Sequence, residues 1–112
     1  MGKFKLVRNA YTFVRKHNDS YSIKNYLTKD FSETFSLAVS ELNGACELTK
    51  SIASDRIYYF IEANAKFNIQ GKEIEVSSED VLFIQKNTEY CFAGTFKAVL
   101  INIPAFNIEN DK

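Results

Sequence analysis

Along most of the chain, apolar and polar residues alternate with the two-residue period of β-strands. Residues 4–8 (FKLVR) and 11–15 (YTFVR) alternate as half-buried strands do. Residues 17–20 (HNDS) read as a loop or turn. Residues 21–27 read as another strand, with a short helix around 23–30 as the competing expectation. Residues 33–42 (ETFSLAVSEL) alternate strictly, with Phe35, Leu37 and Val39 facing one way and Ser36, Ala38 and Ser40 the other. Asn43-Gly44 follows at once and predicts a hairpin, because both residues accept positive φ.

The second half is clearer still. Residues 56–69 (RIYYFIEANAKFNI) are rich in aromatic and β-branched residues, and Gln70-Gly71-Lys72 turns them into residues 72–76 (KEIEV). SSED (77–80) is a turn before residues 81–85 (VLFIQ), and Lys86-Asn87-Thr88 precedes residues 89–94 (EYCFAG) and 96–103 (FKAVLINI). Nothing here keeps a 3.6-residue apolar period. Many short, closely spaced strands predict an all-β sandwich or barrel.

Composition narrows the class. The 112 residues make one domain, long enough to bury one core. Fourteen basic residues balance fourteen acidic ones, so no net field draws nucleic acid or an anionic membrane. The N-terminus is broken by Lys or Arg every few residues, unlike a secretory signal, and no apolar run is long enough to span a bilayer. Cys46 and Cys91 then read as free thiols, small buried hydrophobes in a reducing, cytoplasmic setting.

Two spaced segments carry a family signal. The first starts at Gly44 and places Lys50, Ile52, Arg56 and Ala63 at fixed intervals. The second starts at Glu79, runs through Asp80-Val81-Leu82-Phe83-Ile84, and continues to Gln85, Asn87, Tyr90 and Gly94. Residues 44–106 thereby resemble the cupin family, a jelly-roll (double-stranded β-helix) barrel. The resemblance implies that residues 1–43 supply the remaining strands, giving a single domain over 1–112. In that family the positions of Lys50, Ile52, Arg56 and Tyr90 hold His, His, Glu and His, which bind a divalent metal. The matching sites for turn glycines, Pro and Asn hold Ala63, Glu79, Asn87, Gln85 and Gly94, so only Gly44 keeps the family's residue.

The replaced positions set the chemistry. Lys50 and Arg56 are cations without a lone pair to offer, and Ile52 has no polar atom. No metal and no cofactor are expected. His17, the single histidine, lies far from both motifs. In the cupin register Lys50 and Arg56 replace the metal near one end of a pocket, with Tyr90 across from them. Strand alternation aims Tyr58 and Phe60 inward with Arg56, and Phe92 inward with Tyr90. Lys50, Arg56, Tyr58, Tyr90 and Phe92 are thus the candidate binding residues for a small anion or anionic sugar derivative. Structural readings compete: Arg56 pairing with Glu47 or Asp55 at the barrel mouth, Lys50 reaching into water, and the tyrosines filling core.

Three functions follow. The first is a metal-free small-molecule binding protein. The second is a metal-independent enzyme resembling sugar-nucleotide epimerases or isomerases, with Tyr58 or Tyr90 as acid and no barrel-lining His for a base. The third is a structural, oligomerising role, in which a homodimer forms through the N-terminal strands to protect exposed sheet edges.

Overall fold

The computed structural model describes residues 4–16, 19–45, 49–50 and 53–106. Among these residues a 3-10 turn at Asn9–Tyr11 precedes eight strands: β1 (Phe13–Lys16), β2 (Tyr21–Leu27), β3 (Ser36–Ala45), β4 (Thr49–Lys50), β5 (Asp55–Ile69), β6 (Lys72–Ser77), β7 (Val81–Ile84) and β8 (Glu89–Ile103). All pair antiparallel in the order β1-β2-β3-β8-β5-β6, with β4 beside the start of β8 and β7 beside the first half of β5. Among the described residues no helix is long and apolar enough to cross a membrane.

The two 15-residue strands, β5 and β8, form the spine. β5 serves two neighbours, β7 along residues 56–59 and β6 along 64–69. Its register against β8 shifts between Phe60 and Glu62. A bulge there bends the strand and increases its twist, so its halves reach different parts of the barrel. The β6–β7 connection is tied to this bend: the Glu79 amide donates to the Phe60 carbonyl, and the Phe60 amide to the Asp80 carbonyl.

Turn chemistry follows the sequence where local signals are strong. Gln70 and Gly71 both take positive φ (52° and 83°) in the hairpin joining β5 to β6, and the Asn68 side chain accepts from the Gly71 amide. Asp80 closes the 77–80 turn by accepting the Ser77 amide at 2.8 Å.

Four expectations give way. Residues 4–8 form no strand, and β2 runs as strand to Leu27, which leaves no helix at 23–30. Residues 89–94 and 96–103 are one strand, β8. Asn43-Gly44 is not a hairpin: β3 continues through it, Asn43 opposite Thr95 and Gly44 opposite Gly94. The reason is a close crossing of three strands. A Cβ on Gly94 would sit 2.5 Å from the Asn64 carbonyl oxygen of β5, and both glycines hold φ above +100°. Gly94 is crowded by the β5 backbone and Gly44 by the Ser20 side chain, whose hydroxyl an added Cβ would meet at 2.8 Å, so the pair favours glycine for proximity rather than reversal.

Of the two alternating faces of β3, the one carrying the serines turns inward. Ser36, Ala38, Ser40 and Leu42 are buried, while Leu37 and Val39 lie half-buried on the outside. The interior explains this. Tyr58, Phe60, Phe67, Tyr90, Phe92 and Phe96 form one aromatic cluster, with ring centroids such as Phe67–Phe92 at 5.1 Å and Phe60–Phe96 at 5.5 Å. A close-packed interior filled from β5 and β8 leaves Ser36, Ala38 and Ser40 room for small side chains, and only Leu42 puts a larger β3 side chain into the core.

Candidate functional site

Strand geometry builds the site. On β5 the alternation turns Arg56, Tyr58 and Phe60 inward, and on β8 it turns Tyr90, Phe92 and Asn102 inward. Arg56 and Asn102 are register partners, and Arg56 Nε donates to Asn102 Oδ1 at 2.9 Å. Arg56 Nη1 donates to Tyr90 Oη at 2.8 Å. The Tyr90 and Tyr58 hydroxyl oxygens share a hydrogen bond of 2.7 Å. Tyr90 and Asn102 stand near opposite ends of β8, which would separate them by ~40 Å on a straight strand. One guanidinium touches both because β8 coils around the barrel.

The electrostatics of this cluster are unusual. Arg56 is 8% exposed and Asn102 4%, and Tyr58 and Tyr90 are buried. Among the described residues no carboxylate forms a salt bridge with Arg56. Asp55, its neighbour in sequence, accepts the Lys86 amide at 2.8 Å instead. Burial by itself works against the Arg56 charge, but the oxygens of Tyr90 and Tyr58 outweigh it and its pKa moves up. Burial pushes the Tyr58 phenol well above its usual range, an effect that Tyr90 and Tyr21 reinforce and Arg56 opposes. The result is a permanent cation hydrogen-bonded to an amide and a phenol oxygen, beside a Tyr58 phenol that keeps its proton. Donors outnumber acceptors in the cluster, so its natural complement is an acceptor-rich or anionic group.

The expected site residues separate into two groups. Arg56, Tyr58 and Tyr90 meet directly, and Phe92 stands behind them, its ring 6.1 Å from that of Tyr90. Lys50 does not join them: it is exposed on β4, opposite exposed Glu89, while buried Tyr90 lies on the neighbouring rung opposite Thr49. Cys91 is half-buried on β8. His17, Cys46, Glu47 and Ile52 lie outside the described residues.

Two polar groups escaped the sequence reading. Asn102 shares the phase of Phe96, Ala98 and Leu100, and a polar residue on that buried stripe was the available signal. Ser40 is fully buried, and its hydroxyl has no hydrogen-bond partner among the described residues. At the β2–β3 end, an open depression of about 220 Å³ lined by Lys16, Asp19, Glu41 and Leu42 reaches Tyr21 and Phe96.

The side chains do not fit a divalent metal. A guanidinium and an exposed ammonium offer no lone pair, and two phenols and one amide oxygen gathered around a guanidinium make no divalent-metal site. Among the described residues no three His, Cys, Asp or Glu side chains gather.

No family model matches the sequence, and no curated protein does. Solved structures do match. The chain is similar to Pac13 of Streptomyces, in a tyrosine-to-phenylalanine variant with uridine, at a TM-score of 0.86 and 17% identity, over 100% of this chain and 90% of that one. Pac13 itself is described as a β-barrel and a nucleoside dehydratase. A protein from Planctomyces limnophilus follows at a TM-score of 0.83 and 12% identity, covering 97% of this chain and 96% of its own. KdgF from Halomonas reaches a TM-score of 0.79 at 9% identity, over 94% of this chain and 97% of that one. Identities this low establish likeness of fold, and they agree with the motif resemblance: the chain has the cupin jelly-roll fold.

Proposed function

We propose that this cupin is a metal-free binding protein that holds a small anionic or sugar-type metabolite in its barrel. Arg56 supplies the charge, Tyr90, Tyr58 and Asn102 orient it, and the aromatic wall behind Phe92 supplies apolar contact. One observation carries the reading: a buried guanidinium whose hydrogen bonds go to an amide and a phenol, with no acid beside it among the described residues. A buried guanidinium held by an amide and phenols, with no salt bridge to a carboxylate among the described residues, keeps its charge and spare donors for an anionic group. The likeness to Pac13, which has been seen with uridine, favours a sugar-bearing ligand.

A thermal-shift screen with sugar phosphates, nucleosides, carboxylates and their neutral analogues, run with and without chelator, tests this. A ligand that binds only the folded state raises the midpoint by mass action. Shifts restricted to anionic or sugar ligands and indifferent to chelator support the reading. Silence across the panel, or a fall on adding chelator, removes it.

The Tyr58–Tyr90 contact favours a second reading, a metal-independent isomerase- or epimerase-like enzyme. Two phenols joined by a hydrogen bond, one of them accepting from a guanidinium, form a short relay that can pass a proton to a leaving or carbonyl oxygen. Turnover of a nucleotide sugar that is lost in Tyr90→Phe while binding persists would select this reading over simple binding.

A further inference from the structure

One rung of the barrel wall sets three buried polar side chains in register: Ser36 on β3, Asn102 on β8 and Arg56 on β5. Ser36 is engaged, its hydroxyl accepting the Phe106 amide at 2.9 Å. The other two are only partly used. A guanidinium offers five N–H donors. Asn102 Oδ1 takes one of them and Tyr90 Oη another. Arginine has no acceptor, so the Asn102 amide must present its oxygen to it, which leaves the amide nitrogen over. Neither Arg56 Nη2 nor Asn102 Nδ2 has a hydrogen-bond partner among the described residues. Each shares a carbon with an atom of the 2.9 Å bond between the two side chains, so the spare donors lie close together. Arg56 keeps 8% and Asn102 4% of their surface open, so protein does not wholly seal the pair.

The charge here is single. Among the described residues Arg56 is the one buried Lys or Arg, and Lys50 is exposed. An asparagine stands where an aspartate of the same shape would neutralise the guanidinium. A carboxylate complements this arrangement, with one negative charge for one positive and two acceptor oxygens for two spare donors. A phosphate ester carries about −1.5 to −2 at neutral pH and would leave negative charge unmatched at a buried place. A sugar hydroxyl would leave the guanidinium itself unmatched.

We propose that Arg56 and Asn102 form a carboxylate-binding subsite, and that the ligand of the barrel is a small monocarboxylate such as a sugar acid, not a phosphate ester. Asn102 is then a specificity residue: its oxygen holds the guanidinium, and its nitrogen holds the ligand. This rests on the barrel's being an anion- or sugar-binding site.

Glucuronate, glucose 6-phosphate and glucose share one body and differ in charge at C6, and acetate and inorganic phosphate are the same contrast without a body. Thermal midpoints of the full chain at rising concentrations of each give its Kd by mass action. Glucuronate should bind at least about 10-fold tighter than glucose 6-phosphate or glucose. Should the sugar body not fit, acetate against phosphate reads the same selectivity. Asn102→Asp sets an acid beside Arg56 and should fold at least as well as wild type, yet bind the carboxylate about 10-fold or more weakly. If that variant does not fold, Asn102→Ser, which withdraws the amide, should show the same loss. A wild type that responds to no probe overturns the binding reading and this proposal with it. Phosphates bound as tightly as carboxylates overturn this proposal alone, as does a folded Asn102 variant with undiminished carboxylate affinity.

Discussion

Arg56 and Tyr90, joined by a 2.8 Å hydrogen bond, sit on different strands and turn toward each other across the barrel interior. The bond joins a permanent cation to an oxygen that already shares a hydrogen bond with Tyr58. It makes the two tyrosines unequal, since Tyr90 has two partners in the cluster and Tyr58 has one.

Tyr90→Phe should therefore destabilise the fold more than Tyr58→Phe. Removing the Tyr90 hydroxyl strips an acceptor from a buried guanidinium, a loss of about 1–3 kcal/mol. Removing the Tyr58 hydroxyl leaves the Arg56–Tyr90 bond in place. Urea unfolding of both variants measures the order, and equal costs would show that the guanidinium does not depend on Tyr90.

Alkaline stability should depend on Tyr58. Its pKa is raised in the folded state, so the folded protein holds the proton where the unfolded chain releases it. This contribution is complete below the unfolded pKa of about 10 and is lost as pH climbs from there toward the folded value. Wild-type urea midpoints should fall above pH ~10, and those of Tyr58→Phe should fall less steeply. Parallel declines would contradict the assignment.

Strand alternation made much of the site legible. Arg56, Tyr58, Phe60, Tyr90 and Phe92 could be turned inward from a period of two, because the β5 and β8 segments have strong β character. Asn102 was visible in the same stripe but carried no motif. Lys50 was placed by motif spacing alone, and the short β4 gave no alternation to test it. Asn43-Gly44 misled for a physical reason: glycine serves both tight reversal and close strand crossing, and only the pairing with Gly94 distinguishes them. The inward face of β3 was hidden because it is fixed by the size of aromatic rings on other strands, which no local pattern encodes.

That crossing yields a contrast between two glycines. An added Cβ at Gly94 meets backbone of β5 at 2.5 and 2.8 Å, whereas at Gly71 it meets open space. Gly71→Ala should cost about 1–2 kcal/mol from its positive φ alone. Gly94→Ala must also push β5 and β8 apart and should cost several-fold more, or prevent folding. Similar unfolding midpoints for the two variants would show that the strands separate easily.

Ser40 offers a test of the interior's polarity. Its buried hydroxyl has no partner among the described residues, so Ser40→Ala removes an unsatisfied group and leaves little void. Stability should rise by about 1 kcal/mol. A clear loss would mean that the hydroxyl is satisfied after all.

The central claim is that Arg56 is kept in the barrel for an anionic or sugar-type ligand rather than for the fold. Thermal shifts of wild type and Arg56→Met with sugar phosphates, carboxylates and uridine decide it most directly. Methionine fills similar volume without charge but leaves Asn102 Oδ1 without its donor, so in the absence of ligand the variant should lose no more than about 1–3 kcal/mol. The account predicts shifts for wild type that vanish in Arg56→Met. A strongly destabilised variant together with a wild type that responds to no ligand, or equal shifts in both proteins, would contradict it.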